Sequence, residues 1–289
     1  MNTVACPNQD YLDETGFDLE KYLRSAGGVR PEMFDWSDAG PALDADALFC
    51  LAYMMDIESH TIIYMRELLS TAVAEDPAIT AFLSCWASEE FFHARTLKRL
   101  LESQGATIHD SRFAELRRRR PADFFAQRIA RTLSRLTRHF PAIHMTWGAI
   151  NELSTLTGYR ALADRARHPL VTTVLARIVK DERRHFAFYF NQARTLLRPR
   201  AAQMLTAAAL RRFWRPVGSA VRGDESARRV CDYLFDGRDG RRRLAAHDAT
   251  IARLPGLGWF NLATLYRFGG ASVESLGVCS GPSGIVGAI

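Results

Sequence analysis

Apolar positions recur at helical spacing over most of the chain, and no stretch shows the strict alternation of a strand. From about residue 42 to 200, glycine and proline are sparse and long amphipathic patterns fill the span. The pattern predicts a first helix over about 44–71, with Leu51, Met54, Met55, Glu58, Ile62 and Met65 on one face. A second begins at Pro77, a residue suited to the first helical turn, and ends near Gly105. The stretch "ESQGATIHDSRFAELRRRRPA" reads as a connection. Helical signal returns near Asp123 and runs past Pro141, where a kink or a break is expected. Two more helices, about 142–166 and 169–197, follow, and weaker amphipathic helices fill the chain to about Leu254. The expectation is an all-α protein with a single domain over 1–268, its core over about 42–199 and accessory helices over 200–268. Residues 269–289 form a Gly/Ser-rich tail.

The polar residues on these stripes change the picture. In "SEEFFHARTL", Trp86, Glu90, His93 and Leu97 fall at i, i+4, i+7 and i+11, a single helical face. A carboxylate and an imidazole on an apolar stripe are costly to bury unless something pairs with them. "KDERRHF" repeats the arrangement with Asp181, Glu182 and His185, on a stripe that includes Leu175, Ile178 and Tyr189. With 14 glutamates and 8 histidines in 289 residues, fewer than one Glu-x-x-His pair is expected by chance.

Each pair is preceded by a lone glutamate on an apolar stripe. Glu58 lies 32 residues before Glu90, and Glu152 lies 30 residues before Glu182. Thirty-odd residues is the path from the middle of one long helix, round a turn, to the middle of an antiparallel neighbour. Each half is then a helical hairpin carrying three candidate ligands at mid-height, and the 62 residues from Glu90 to Glu152 leave room for a long crossover. A single buried glutamate is ordinarily an ion-paired core residue; the twofold repetition is what singles out Glu58, Glu90, His93, Glu152, Glu182 and His185 together. Four carboxylates and two imidazoles suit two iron ions, because four negative charges balance a diferrous pair. Asp181 and Glu89, each one residue before a candidate ligand, are placed to accept from the other half's histidine. His60, His139, His144 and His168 have no partner at ligand spacing and read as surface or capping residues.

Composition narrows the setting. The five cysteines are an odd number, scattered and without a CxxC, which argues against a disulfide framework or a zinc ribbon. The first twenty residues lack the basic and apolar segments of a signal peptide, and "ALFCLAYMM" is too short to span a bilayer. A cytoplasmic protein with no membrane partner is expected. The net charge is +6, carried by 35 arginines and only 3 lysines, and favours acidic partners. Arg128, Arg131, Arg135 and Arg138 recur at helical spacing just after the run at 117–120, a candidate docking face for an acidic protein. Nucleic acid is not expected, since no binding motif is present and no aromatics interleave with the arginines.

The motifs "NELSTLTGYR" and "DERRHFAFYFNQARTLL" resemble those of the soluble acyl-carrier-protein desaturases, within the ferritin-like diiron superfamily. The similarity covers about 42–199 and extends weakly to "RFWRPVG", where Arg215 stands in place of the usual methionine. It implies a ferritin-like four-helix bundle with additional helices, two iron ions and O2 activation. It also implies an acyl carrier protein as bearer of the substrate, a ferredoxin-type electron donor and a homodimer. The six residues named above carry over as metal ligands, Asp181 as the partner of a ligand histidine, and Thr155 as a residue of oxygen handling. Ile178 and Leu97 stand where arylamine N-oxygenases carry an extra histidine and ribonucleotide reductase small subunits a radical tyrosine. Diiron hydroxylases, other N-oxygenases and, more distantly, iron-storing ferroxidases share the ligand pattern and remain alternatives.

Overall fold

The computed structural model describes residues 16–37, 39–109, 111–116, 132 and 137–269. Among these the regular structure is helical, with no strand, as the periodicity predicts. No helix among them is long and apolar enough to cross a membrane. A short α1 (Leu19–Ser25) precedes α2 (Ala45–Leu68) and α3 (Pro77–Ser103).

The sequence chemistry at each helix end explains the boundaries. Asp44 caps α2 by accepting the Ala47 amide at 2.7 Å. Asp76 accepts the Ala78 and Ile79 amides at the start of α3, with Pro77 in its first turn. A single 3-10 turn, Ala72–Glu75, joins the two. The segment read as pure connection contains a short helix, α4 (Ser111–Leu116). It is held by Arg112, whose guanidinium donates two 2.7 Å bonds to the fully buried Asp56 of α2.

The second hairpin is α5 (Phe140–Ala166) and α6 (Pro169–Leu196). Of the kink or break expected at Pro141 the structure has the break: residues 137–139 are not helical, and Pro141 lies in the first turn of α5. Arg167 takes the left-handed conformation (φ 48°) and closes α5, and His168 caps α6 by accepting the Val171 amide. His168 is thus a cap, as expected, but a buried one. Gly148 of α5 faces the Tyr189 ring of α6, and a Cβ there would fall 2.3 Å from the ring. Its lack of a side chain is what lets the two helices approach at that level.

Helices α7 (Arg200–Phe213), α8 (Ser219–Arg222), α9 (Asp224–Leu234), α10 (Gly237–Ile251) and α11 (Leu262–Phe268) form the accessory part. Helix α9 packs on α2, and α7 and α10 pack on α5. Helix α5 is consequently buried on nearly every side. Two expectations for exposed and buried faces fail. Ile62, placed on the α2 core stripe, is 41% exposed. His144, read as a surface residue, is buried in α5, where burial holds its imidazole near a pKa of about 3. The basic stripe at Arg128, Arg131 and Arg135, the run at 117–120 and the tail from 270 lie outside the described residues; Arg138 is exposed.

Candidate metal centre

The six predicted ligands come from four helices: Glu58 from α2, Glu90 and His93 from α3, Glu152 from α5, Glu182 and His185 from α6. None is more than 6% exposed. They form two overlapping groups that could hold a metal ion. One is Glu58, Glu90, His93 and Glu182; the other is Glu90, Glu152, Glu182 and His185. Within each group one donor atom per residue lies within 4.8 Å of every other. Glu90 and Glu182, the glutamates of the two Glu-x-x-His motifs, belong to both.

Both imidazoles are oriented the same way. His93 turns Nδ1 inward, 3.2 Å from Glu182 and 3.9 Å from Glu58 and Glu90. His185 turns Nδ1 inward, 3.0 Å from Glu90, 3.6 Å from Glu182 and 3.7 Å from Glu152. Each Nε2 points outward onto a carboxylate of the other hairpin: His93 meets Asp181 at 3.2 Å, and His185 meets Glu89 at 2.8 Å. A carboxylate can only accept, so it keeps the proton on Nε2, and Nδ1, once its own proton is displaced, is the lone-pair donor toward the centre of the cluster. The crossed pairing expected from sequence is therefore present.

The outer carboxylates have their own support, which sequence reasoning missed. Arg184 Nη2 donates to Glu89 at 2.8 Å and to Asp181 at 2.6 Å, tying the two together. Tyr22 donates its hydroxyl to Glu89 at 2.8 Å, and the Gly27 amide donates at 3.2 Å. The Val29 amide donates to Asp181 at 3.0 Å. Gly28, with φ +54°, passes so close that a Cβ would meet Glu89 Cγ at 3.0 Å. The segment around α1 thus lies against the outer face of the cluster. Inside, Trp86 donates its indole N–H to Glu152 at 3.1 Å, and Tyr159 donates its hydroxyl to Glu58.

The electrostatics show what such a cluster costs. Burial, with Glu182 adding to it, pushes Glu90 up to about 7, and burial takes Glu152 to about 8. Burial and the neighbouring Glu90 raise Glu58 as well. Burial disfavours the charged imidazole, yet the bond to Asp181 and the nearby Glu182 and Glu58 carboxylates outweigh it and raise His93 to about 10. Glu89 feels burial too, but its bonds to His185, the Arg184 charge and the Tyr22 bond bring it to about 2. Several protons are therefore held where cations would otherwise balance the carboxylates.

Whether a metal fits is tested by the atoms left over. Glu90 Oε1, both carboxylate oxygens of Glu182 and Nδ1 of both histidines are buried without a hydrogen bond of proper geometry among the described residues. Orphaned acceptors of this kind, converging from four helices, are a donor set for hard or borderline cations.

Beside the cluster lies a cavity of about 80 Å³ between α2, α5 and the accessory part. Glu58, Thr155 and Tyr159 form its inner wall. Thr155 is thus on the cavity surface next to Glu58 and is not part of either donor group.

The fold and the site together define an all-α protein with buried glutamate and histidine groups that could hold metal. Compared with known protein families, with curated proteins and with solved structures, the chain matches none.

Proposed function

We propose that the chain is an O2-dependent diiron oxidoreductase of the acyl-carrier-protein desaturase type, acting on an unactivated C–H bond. The observation that carries this reading is the pair of overlapping donor groups sharing Glu90 and Glu182, with each histidine fixed by a carboxylate of the opposite hairpin. Glu58 and His93 would complete one iron site, Glu152 and His185 the other, and the two shared glutamates would serve both. Bound iron would supply one chemistry, the reductive activation of O2.

The protein's own residues supply the rest. Asp181 and Glu89 keep the Nε2 protons in place, and Arg184 balances their charge. Tyr159 and Trp86 orient the terminal glutamates Glu58 and Glu152 through single hydrogen bonds. Leu97, Leu153, Leu156 and Phe186 are fully buried in the core and help keep bulk water away. A substrate in the cavity has its C–H bonds against the wall formed by Glu58 and Thr155. The Thr155 hydroxyl, on that wall with Glu58 and Tyr159, is the group we assign to proton handling. An acyl carrier protein and a ferredoxin-type donor, docking on basic surface, and a homodimer belong to the same proposal.

One observation favours a second reading, hydroxylation or N-oxygenation of a small molecule. The cavity is roughly half the volume of an engineered cavity that binds benzene. That is short for a long acyl chain. Incubating the iron-loaded protein with acylated carrier proteins of graded chain length, a ferredoxin reducing system and O2 separates the two by intact mass. Loss of two hydrogens supports the desaturase reading. Gain of one oxygen supports hydroxylation of the carried chain, and no change at any length turns the search to free small molecules.

A further inference from the structure

The cavity beside Glu58 is lined mainly by apolar side chains, among them Met54, Ile57, Val217 and Leu234. Besides Cys231 and Tyr266, its accessory wall carries polar groups at two places. Trp214, on the chain between α7 and α8, is 7% exposed, and its Nε1–H has no hydrogen-bond partner among the described residues. An indole N–H is a donor only, and leaving one buried without an acceptor is costly.

The second place is His247 of α10. Its Nδ1 lies 3.3 Å from Asp248, whose carboxylate also accepts the Ala263 and Thr264 amides at the start of α11. That carboxylate cannot donate, so Nδ1 carries the proton and Nε2 offers a lone pair. Ser154 Oγ is 3.0 Å from Nε2 and 2.7 Å from the Ile150 carbonyl. Ser154 has one proton and two possible takers, so it can turn to Ile150 and free Nε2 for another donor. Trp214 and His247 both line the cavity, and both rings pack on Phe260, each at 6.4 Å between centroids.

We propose that the substrate is a small, mainly apolar molecule with one neutral oxygen function, above all a hydroxyl, that accepts from Trp214 and donates to His247. This rests on the second reading above, oxidation of a small molecule held in the cavity, and it adds the class of molecule the pocket selects. A hydroxyl satisfies both groups at once, a carbonyl only the first, and an alkyl group neither. An anionic oxygen is excluded by charge. No arginine or lysine lines the cavity among the described residues, so nothing on its wall would balance an anion. The oxygen is held by the accessory wall while the inner wall faces the C–H to be oxidised, so only a few carbons separate the two.

The test uses the full chain and three probes of similar length: 1-butanol, pentane and butyrate. With 15N-labelled tryptophan, one of the five indole resonances should shift on adding 1-butanol and stay fixed with pentane, and Trp214→Phe should remove that resonance. By titration, Trp214→Phe and His247→Phe should each weaken 1-butanol about three- to tenfold and leave pentane unchanged. The wild-type resonance shift stands even if a variant fails to fold. Equal binding of butanol and pentane, tighter binding of butyrate, or no binding of any probe overturns the proposal. Metal content of the same preparations reports separately on the oxidative centre. Two metals with no alcohol preference leaves that reading standing and removes only the substrate class. Alcohol preference without metal does the reverse.

Discussion

Replacing Glu89 with glutamine tests how far the candidate metal centre depends on a residue that does not itself belong to either donor group. Glu89 accepts four bonds: Tyr22 and His185 on one oxygen, both at 2.8 Å, Gly27 and Arg184 on the other, at 3.2 and 2.8 Å. An amide keeps one acceptor oxygen and turns an NH2 toward two donors. The less costly orientation points the NH2 at Gly27 and Arg184, because Arg184 is partly exposed and retains Asp181 at 2.6 Å. His185 then still has an acceptor for Nε2–H, but a neutral one, and its Nδ1 becomes a weaker donor. Losing such a partner typically lowers metal affinity about 10- to 100-fold. At about 1.4 kcal/mol per decade, that is roughly 1.4–2.7 kcal/mol. Anaerobic Fe(II) titration against a competing chelator measures it, with circular dichroism melting as a check on folding. Asp181→Asn should act in the same way on His93. The double variant should lose less than the product of the two, since both share Arg184. Wild-type affinity within twofold for Glu89→Gln in a folded protein would refute the reasoning.

Other outcomes follow from the same geometry. Because Glu90 and Glu152 hold their protons up to about 7 and 8, metal must displace protons, so affinity should fall as pH drops from 8 to 6. Calorimetry in two buffers of different ionisation enthalpy should show net proton release; pH-independent binding would contradict it. Gly148→Ala forces a Cβ into the Tyr189 ring and should cost about 1–3 kcal/mol. The melting temperature should drop by at least about 2 °C, and an unchanged value would mean that α5 and α6 can part without penalty. Asp56→Ala removes the buried acceptor of Arg112 and Arg222. Both arginines can turn toward solvent, so about 2–3 kcal/mol is expected rather than the full cost of a stranded buried charge. Urea unfolding with an unchanged midpoint would show that α4 and α8 are held by something else.

Much of the candidate centre is legible in the sequence. The repeated Glu and Glu-x-x-His spacing works because a hairpin of two long helices brings residues some thirty apart to the same height, and a 3.6-residue period sets i and i+3 on one face. Asp181 and Glu89 were legible for the same reason, one residue before the ligands and turned toward the other hairpin. Tyr22, Gly27 and Val29 were not. They reach Glu89 and Asp181 from a segment with little helical signal, across 62 or more residues, and no local pattern encodes that contact. Arg184 stood in plain view within "KDERRHF", but nothing in the spacing shows that one guanidinium would tie both outer carboxylates together. Burial was legible only where one face of a helix meets the core. Helix α5, covered on nearly all sides, hides His144 as well as Glu152, and a neutral imidazole can be buried without any partner at ligand spacing. Helix α2 shows the converse at Ile62: one turn past Glu58 the core stripe is no longer fully covered.

The central claim, that the six residues hold two metal ions through two shared glutamates, is most directly tested by stoichiometry. Anaerobic Fe(II) loading followed by elemental analysis should give two irons per chain in the wild type. Glu90→Ala and Glu182→Ala, each removing a residue common to both donor groups, should lose both irons while the protein stays helical. Two irons retained in either variant, or none in the wild type, would contradict the account.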